Sequence, residues 1–166
     1  MRITSTRLAG IIVGLVALAT LGTALGAERF GGLVPCALCL IERWPWRITI
    51  ALGVVAALLP PRPARLVLAI VPPLMLASAA LGVVHVGVEW KAWPSPLPEC
   101  AAPRLAAGSA AERLRAMPDH PSKPCDDPTY LIPAIPVSMA GGHLILSLLV
   151  GGGVTTYLLR QRRSQT

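Results

Sequence analysis

The stretch LVLAIVPPLMLASAALGVVHVGV, residues 66–88, contains no residue with a formal charge. A helix of about 20 predominantly apolar residues crosses the hydrocarbon core of a bilayer, and this run is long enough to do so. Two further runs, residues 8–27 and 131–159, are equally free of charge. The three runs predict membrane-spanning helices.

A fourth apolar run, residues 44–59, is weaker because it contains Arg47, and its uncharged part begins only at residue 48. It spans a bilayer only if the turn at residues 36–43 also lies at membrane depth, with Arg43 and Arg47 extending toward the interface. On this condition the sequence predicts four spans.

The composition excludes a soluble globular protein. Of the 166 residues, 54% are hydrophobic and only 14% are charged, whereas a soluble domain carries roughly 25% charged residues. We therefore predict an all-α fold, a four-transmembrane-helix bundle that forms a single integral membrane domain over residues 1–166. The expected spans are about 8–27, 42–59, 66–88 and 135–159, with outward loops at about 28–41 and 89–134.

The positive charge is confined to three short segments. MRITSTR (1–7), PPRPAR (60–65) and RQRRSQT (160–166) contain seven arginines and no acid, which accounts for the net charge of +7. Four spans place all three segments on one side, and the positive-inside rule makes that side cytoplasmic. The basic balance thus indicates topology, with both termini cytoplasmic and some affinity for anionic lipid, rather than nucleic-acid binding.

The first span has a second interpretation. Its basic start, apolar core and small residues in TALGA (23–27) also fit a cleaved signal peptide. Because the apolar run is longer than a usual signal core, we expect it to be retained as an anchor.

All four cysteines fall in the predicted outward loops, Cys36 and Cys39 in the first and Cys100 and Cys125 in the second. We expect all four tryptophans to lie near the same boundary as an aromatic belt. Outside a bacterial-type inner membrane, disulfides persist. Four cysteines permit three pairings, and the spacing alone does not choose between them.

The two cysteine pairs differ in kind. Cys36-Ala37-Leu38-Cys39 is a C-x-x-C, a motif that depresses thiol pKa values, especially at a helix start. Cys100 and Cys125 enclose a polar segment. They either form a disulfide that restrains this segment or exchange thiols with the C-x-x-C. Other interpretations of the motif are a structural disulfide or a zinc site completed by Cys100, Cys125 and His120; haem attachment is excluded because Leu40 stands where a histidine is required.

If a helix begins near the C-x-x-C, then Cys36, Cys39, Arg43 and Arg47 share one face. Arg43 would pair with Glu42 or a lipid phosphate, or it would stabilise a thiolate or the oxygen of a membrane-soluble oxidant. In the long loop, Ser109 and Glu112 have the spacing of a capping box. A short amphipathic helix there would lay Leu114 and Met117 on the membrane.

PCALCLIER after the first span and WPSPLPEC after the third, followed by another cysteine about 25 residues on, resemble the disulfide bond formation protein B (DsbB) family. The resemblance covers essentially the whole chain, and it implies a location in the bacterial inner membrane with the cysteines periplasmic. DsbA, DsbB and quinone together keep the bacterial periplasm oxidising.

The resemblance also implies residue roles. Cys36 and Cys39 would be the quinone-proximal redox pair, with Cys39 facing the quinone, and Arg43 would belong to the quinone site. Cys100 would form a mixed disulfide with a periplasmic thiol oxidase resembling DsbA, and Cys125 would pass electrons to Cys36.

HVGVEW (85–90) is similar to a variant found in part of the family, so His85 and Glu89 are expected near the same site. His143 matches no motif, and helix packing through its glycine neighbours is the expected use of that stretch.

These observations predict a membrane thiol:quinone oxidoreductase that reoxidises a DsbA-like dithiol oxidase and reduces ubiquinone or menaquinone, with no metal cofactor. Two alternatives stay open at this point. One is a non-catalytic membrane protein with structural loop disulfides, and the other is a redox enzyme resembling vitamin K epoxide reductase.

Overall fold

The computed structural model describes residues 5–100, 109–115, 123–132 and 134–163. Within these ranges the secondary structure is helical, apart from an isolated bridge between Tyr130 and Ser138. The prediction of an all-α fold is therefore confirmed. The helices are α1 (Ser5–Gly31), α2 (Ala37–Leu58), α3 (Pro61–Leu68), α4 (Val71–Glu89), α5 (Ala110–Arg115) and α6 (Met139–Arg163), with a 3-10 turn at Pro98–Cys100.

Three helical segments are long and apolar enough to cross a membrane: Ser5–Gly31, Pro61–Glu89 and Met139–Arg163. They indicate a membrane protein built as a helical bundle. Helix α2 has 22 residues, but its charged residues Glu42, Arg43 and Arg47 lie inside the helix, whereas the other three segments carry their charges near their ends.

A break between α3 and α4 interrupts the apolar run at residues 66–88. Pro72 and Pro73 lack the N–H groups that would bond to the carbonyls of Leu68 and Ala69 in a continuous helix. The N–H of Ala69 still donates to the carbonyl of Arg65, and the chain then restarts as α4 at Val71. The apolar run predicts one continuous helix, and the break at Pro72 and Pro73 departs from that prediction.

Helices α1 and α2 approach each other through glycines. A Cβ atom on Gly53 would lie 2.7 Å from the Cα of Gly14, and one on Gly10 would lie 2.9 Å from the carbonyl oxygen of Gly53. Backbones pack this closely only where neither helix presents a side chain, as in small-residue contacts between membrane helices. The two helices bring Glu28 and Arg43 together at one end of the contact.

Helices α2, α4 and α6 are joined by buried polar side chains around His143. The Nε1–H of Trp46 donates to Nδ1 of His143 at 3.0 Å, and Nε2 of His143 lies 3.1 Å from both the Oγ and the carbonyl oxygen of Ser78. Ser147 extends the network at 3.0 Å from Ser78. His143 therefore connects three helices, whereas an added Cβ on its neighbour Gly142 would meet no atom within 4 Å.

The ends of α1, α3 and α6 meet at the opposite end of the bundle from the cysteines. The hydroxyl of Tyr157 donates to Thr6, the amide of Gln161 donates to Ser5, and a guanidinium N–H of Arg65 donates to Gln161. These contacts bring the described parts of the three arginine-bearing segments, residues 5–7, 60–65 and 160–163, to one end.

The tryptophans do not all form a belt. Trp44, Trp90 and Trp93 are exposed, but Trp46 is only 2% exposed and lies inside the bundle. Trp46 is therefore not part of an exposed aromatic belt, and its indole N–H has a buried partner in His143. The ring of Trp93 covers Gly87, where any side chain would overlap it.

Candidate redox site

Helix α2 begins immediately after the first cysteine of the C-x-x-C. Cys36 is its N-cap, and the Cys36 Sγ accepts a hydrogen bond from the backbone N–H of Cys39 at 3.2 Å. The Sγ atoms of the two free thiols lie 2.8 Å apart, so little motion is needed to join them as a disulfide. The predicted helix start at the C-x-x-C is confirmed.

The surroundings of Cys36 favour its thiolate. The hydrogen bond from the Cys39 side chain is the largest influence and lowers the pKa of Cys36, with help from the backbone N–H of Cys39. Burial and the negative charge of Glu42 oppose this shift but do not reverse it. The partial positive charge at the start of α2 acts in the same direction as the hydrogen bonds.

A histidine and a carboxylate stand behind Cys36. Nε2 of His85 lies 3.4 Å from the Cys36 Sγ, and Nδ1 of His85 lies 3.0 Å from Oε1 of Glu42. His85 and Glu42 are both buried. The order cysteine, imidazole, carboxylate resembles the nucleophile, base and orienting group of acyl-transfer enzymes.

The second cysteine pair is a disulfide between Cys100 and Cys125. Both residues are buried, and they pack in one cluster with Cys36, Leu38 and Val88. The structure therefore brings the two cysteine pairs together at the same end of the bundle. The zinc site with Cys100 and Cys125 as ligands is wrong, since their sulfurs are bonded to each other; its third ligand, His120, lies outside the described residues.

A cavity of about 530 Å³ opens beside the second cysteine of the motif. Its wall is mostly apolar and comes from α1, α2, the start of α6 and the segment before α6. Cys39 and Arg43 line it, together with Glu28, Glu42 and His143. Largely apolar pockets of this size with a few convergent polar groups are typical of small-molecule sites.

Arg43 faces this cavity while paired to α1. Its guanidinium donates to a carboxylate oxygen of Glu28 at 2.7 Å, and Arg43 is 9% exposed. Pairing with Glu42 was one expectation, and it is wrong because Glu42 faces His85 instead. Arg47 is exposed and lies over the ring of Trp44 at 5.0 Å.

Neither His85 nor Glu89 is part of the cavity wall. His85 lies behind the C-x-x-C against Cys36, whereas Glu89 accepts a hydrogen bond from the hydroxyl of Ser138, which does line the cavity. The structure thus brings His85 to the cysteine pair, and Glu89 to the segment that closes one side of the cavity.

The family model for "Disulfide bond formation protein DsbB" matches residues 6–156. The chain belongs to the DsbB family. No curated protein and no solved structure shows significant similarity to it. Membership makes this chain a membrane disulfide bond formation protein, of a family that is linked to quinone in general.

Sequence reasoning missed three polar residues of this DsbB family member. Glu28 pairs with Arg43, Glu42 pairs with His85, and His143 bonds to Trp46 and Ser78. An acidic residue inside an apolar helix is itself a signal of function, and Glu42 could have been recognised on that ground. The same signal applies to His143, which lies inside an apolar run, whereas Glu28 follows the first apolar run and its partner lies on another helix.

The long loop of this family member shows the expected capping box. The side chain of Glu112 accepts from the backbone N–H of Ser109 at 2.7 Å, and the Ser109 hydroxyl accepts from the N–H of Glu112 at 3.4 Å. The resulting helix is α5, and the hydrogen bonds from the backbone and the side chain of Ser109 lower the pKa of Glu112. The contact of Met117 with the membrane falls outside the described residues.

Proposed function

We propose that this chain is a membrane thiol:quinone oxidoreductase that reoxidises a periplasmic DsbA-like dithiol oxidase and delivers the electrons to quinone. One observation carries the proposal: Cys36 packs in the buried cluster that holds the Cys100–Cys125 disulfide, and Cys39 lines the apolar cavity. The C-x-x-C therefore lies between the Cys100–Cys125 disulfide, from which it would receive electrons, and a pocket for an apolar electron acceptor.

We place all of residues 1–166 in one integral membrane domain with α2 as the fourth span. Two of its three charges are paired, since Glu42 faces the buried His85 and Arg43 is bonded to the exposed Glu28. Pairing offsets part of the cost of removing these charges from water, and Arg47 is exposed near Trp44. The arginine-bearing end is then cytoplasmic and the cysteine end periplasmic, in the bacterial inner membrane.

The electron relay consists of thiol–disulfide exchanges. A thiolate of the partner attacks the sulfur of Cys100, forms a mixed disulfide and releases Cys125 as a thiolate. Cys125 attacks Cys36 in the oxidised C-x-x-C and releases Cys39. The second partner thiolate then resolves the mixed disulfide, and the freed Cys100 attacks Cys125, which restores their disulfide and leaves Cys36 and Cys39 reduced.

Reoxidation of the C-x-x-C requires two thiol protons to leave. In the tautomer that this role requires, Nδ1–H of His85 donates to the Glu42 carboxylate and the lone pair of Nε2 faces Cys36. His85 is thus placed to take the proton of Cys36, and Glu42 stabilises the imidazolium that forms. We assign His85 as the base for Cys36 and Glu42 as the residue that positions it.

The cavity fits a quinone headgroup. Apolar side chains such as Leu21, Ile132 and Leu146 offer walls for a ring, and the guanidinium of Arg43 offers a donor to a carbonyl oxygen. A bound quinone supplies a two-electron acceptor that also takes up two protons. Glu28 holds the Arg43 guanidinium on the cavity wall, and Cys39 presents its sulfur to the same space.

Organic extraction of the purified protein, with identification of any quinone released, tests this proposal. We expect ubiquinone or menaquinone at up to one molecule per chain, and less from an Arg43→Ala variant purified in parallel. Extracts without quinone, from protein that also binds no added quinone, would contradict it.

A further inference from the structure

We propose that the reduced C-x-x-C and His85 form a binding site for a thiophilic divalent cation such as Zn²⁺ or Cd²⁺, which the oxidised pair cannot bind. The ligand atoms are the Sγ of Cys36, the Sγ of Cys39 and the Nε2 of His85, which all lie within 4.8 Å of one another. This inference does not depend on quinone being the electron acceptor.

The separations suit tetrahedral coordination. Bond lengths of about 2.3 Å to sulfur and about 2.0–2.1 Å to nitrogen place a sulfur and a nitrogen ligand about 3.6 Å apart. The observed distance from the Cys36 Sγ to the His85 Nε2 is 3.4 Å. The two sulfurs, at 2.8 Å, must separate to about 3.8 Å, and Cys39 has the free space of the cavity on its outer side.

The outer shell of the site is already formed. Metal-bound histidines usually donate their second ring N–H to a carboxylate, which fixes the orientation of the ring and raises its basicity. Glu42 lies 3.0 Å from Nδ1 of His85 and leaves Nε2 directed at Cys36. Cys39 lines the cavity, so water or an exogenous ligand that enters from the cavity can complete the tetrahedron.

Binding is a proton exchange and not a redox step. The cation takes the two sulfurs as thiolates and neutral His85 as the third ligand, and two thiol protons are released. A disulfide between Cys36 and Cys39 has no thiolate to offer, so oxidation abolishes the site. Conversely, a bound cation holds both sulfurs and prevents them from closing into a disulfide.

Titration of the purified full-length protein with Co²⁺ tests the site without an activity assay. For the reduced protein we expect thiolate-to-cobalt charge-transfer absorption with tetrahedral visible bands, saturating at one equivalent and displaced by Zn²⁺. The oxidised protein should show none of these bands. Equal binding by both forms, or no thiolate band in the reduced form, overturns the proposal.

Variants identify the ligands. His85→Gln and Cys36→Ser should each abolish the tetrahedral spectrum, and Glu42→Gln should weaken the affinity about 10- to 100-fold, as loss of an outer-shell carboxylate does. The Cys100→Ser/Cys125→Ser double variant and His120→Gln should bind as the parent does. An unchanged spectrum and affinity in Glu42→Gln contradicts the assigned site even if His85→Gln fails to fold.

Discussion

The imidazole of His85 separates Glu42 from Cys36, with 3.0 Å from Nδ1 to the carboxylate and 3.4 Å from Nε2 to the sulfur. Cys36 is the N-cap of α2, Glu42 lies in α2 and His85 in α4, and the interior of the bundle shields all three from water. The contact gives the C-x-x-C a buried proton acceptor, His85, that is not part of the cavity wall.

Replacement of His85 by Gln should slow oxidation of the reduced pair by quinone roughly 100-fold at neutral pH, because the Cys36 proton loses its acceptor. Glu42→Gln should slow it less, since the imidazole remains. The measurement is stopped-flow quinone reduction across a pH series. The rate of His85→Gln should recover as the pH is raised and Cys36 ionises without help, whereas a misfolded variant would not recover; a parental rate and pH profile would rule out the assigned base.

Because the pKa of Cys36 is lowered from its ordinary value of 9.0, we expect its thiol to be alkylated at pH values at which an ordinary cysteine is still protonated. Cys36 is protonated and unreactive below the lowered pKa, and alkylation rises as the pH passes through it. Because the side chain of Cys39 is the main cause, Cys39→Ala should move the alkylation midpoint of Cys36 upward, toward 9.0, while Cys39→Ser keeps a donor and moves it less. Mass spectrometry after timed alkylation gives both midpoints, and identical midpoints in the two variants would count against this hydrogen bond.

Sequence reasoning gave the helical class, the helix start at Cys36 and the family. Each depends on local information: apolar run length, cysteine spacing and the preference of a C-x-x-C for a helix N-terminus. It placed His85 near the redox pair only through the resemblance, and it could not place Glu42 against His85, because the two are 43 residues apart in the chain.

Other contacts were beyond the sequence for the same reason. The partner of Arg43 is on α1 and the partner of Trp46 is on α6. The residues next to Arg43 and Trp46 in the sequence therefore could not predict these partners. The Pro72–Pro73 pair could have predicted the break between α3 and α4, but the length and apolarity of residues 66–88 favoured the prediction of one continuous helix.

Arg43→Ala should raise the apparent KM for quinone about 10-fold or more, as expected when a charge-assisted hydrogen bond of about 1.5–3 kcal/mol is removed. Arg43→Lys should have a milder effect because it keeps the charge but loses the planar fork. Arg47→Ala is the matched control, since Arg47 is exposed and does not line the cavity. Quinone reduction is measured against quinone concentration, with thiol exchange at Cys100 assayed separately; an Arg43→Ala variant equal to the Arg47→Ala control would remove Arg43 from the quinone site.

The glycine contact between α1 and α2 predicts opposite effects for two substitutions of the same kind. Gly53→Ala places a Cβ atom 2.7 Å from the backbone of Gly14 and should lower the free energy of unfolding by about 1–3 kcal/mol. Gly22→Ala in α1 would meet no atom within 4 Å and should be neutral or stabilising by roughly 0.5–1 kcal/mol. Denaturant titration of both variants in the same detergent checks this, and equal stability would indicate that the two helices are not packed through Gly53.

The central claim is that the C-x-x-C is the pair that quinone oxidises, and that it receives its electrons from Cys100 and Cys125. The most direct measurement is anaerobic addition of one equivalent of quinone to fully reduced protein, with the remaining thiols mapped by mass spectrometry. We expect two thiols to be lost per quinone reduced, with a disulfide between Cys36 and Cys39 both in the parent and in the Cys100→Ser/Cys125→Ser variant, and no reaction in Cys39→Ser. Quinone reduction that persists in Cys39→Ser, or that requires Cys100 and Cys125, would contradict the account.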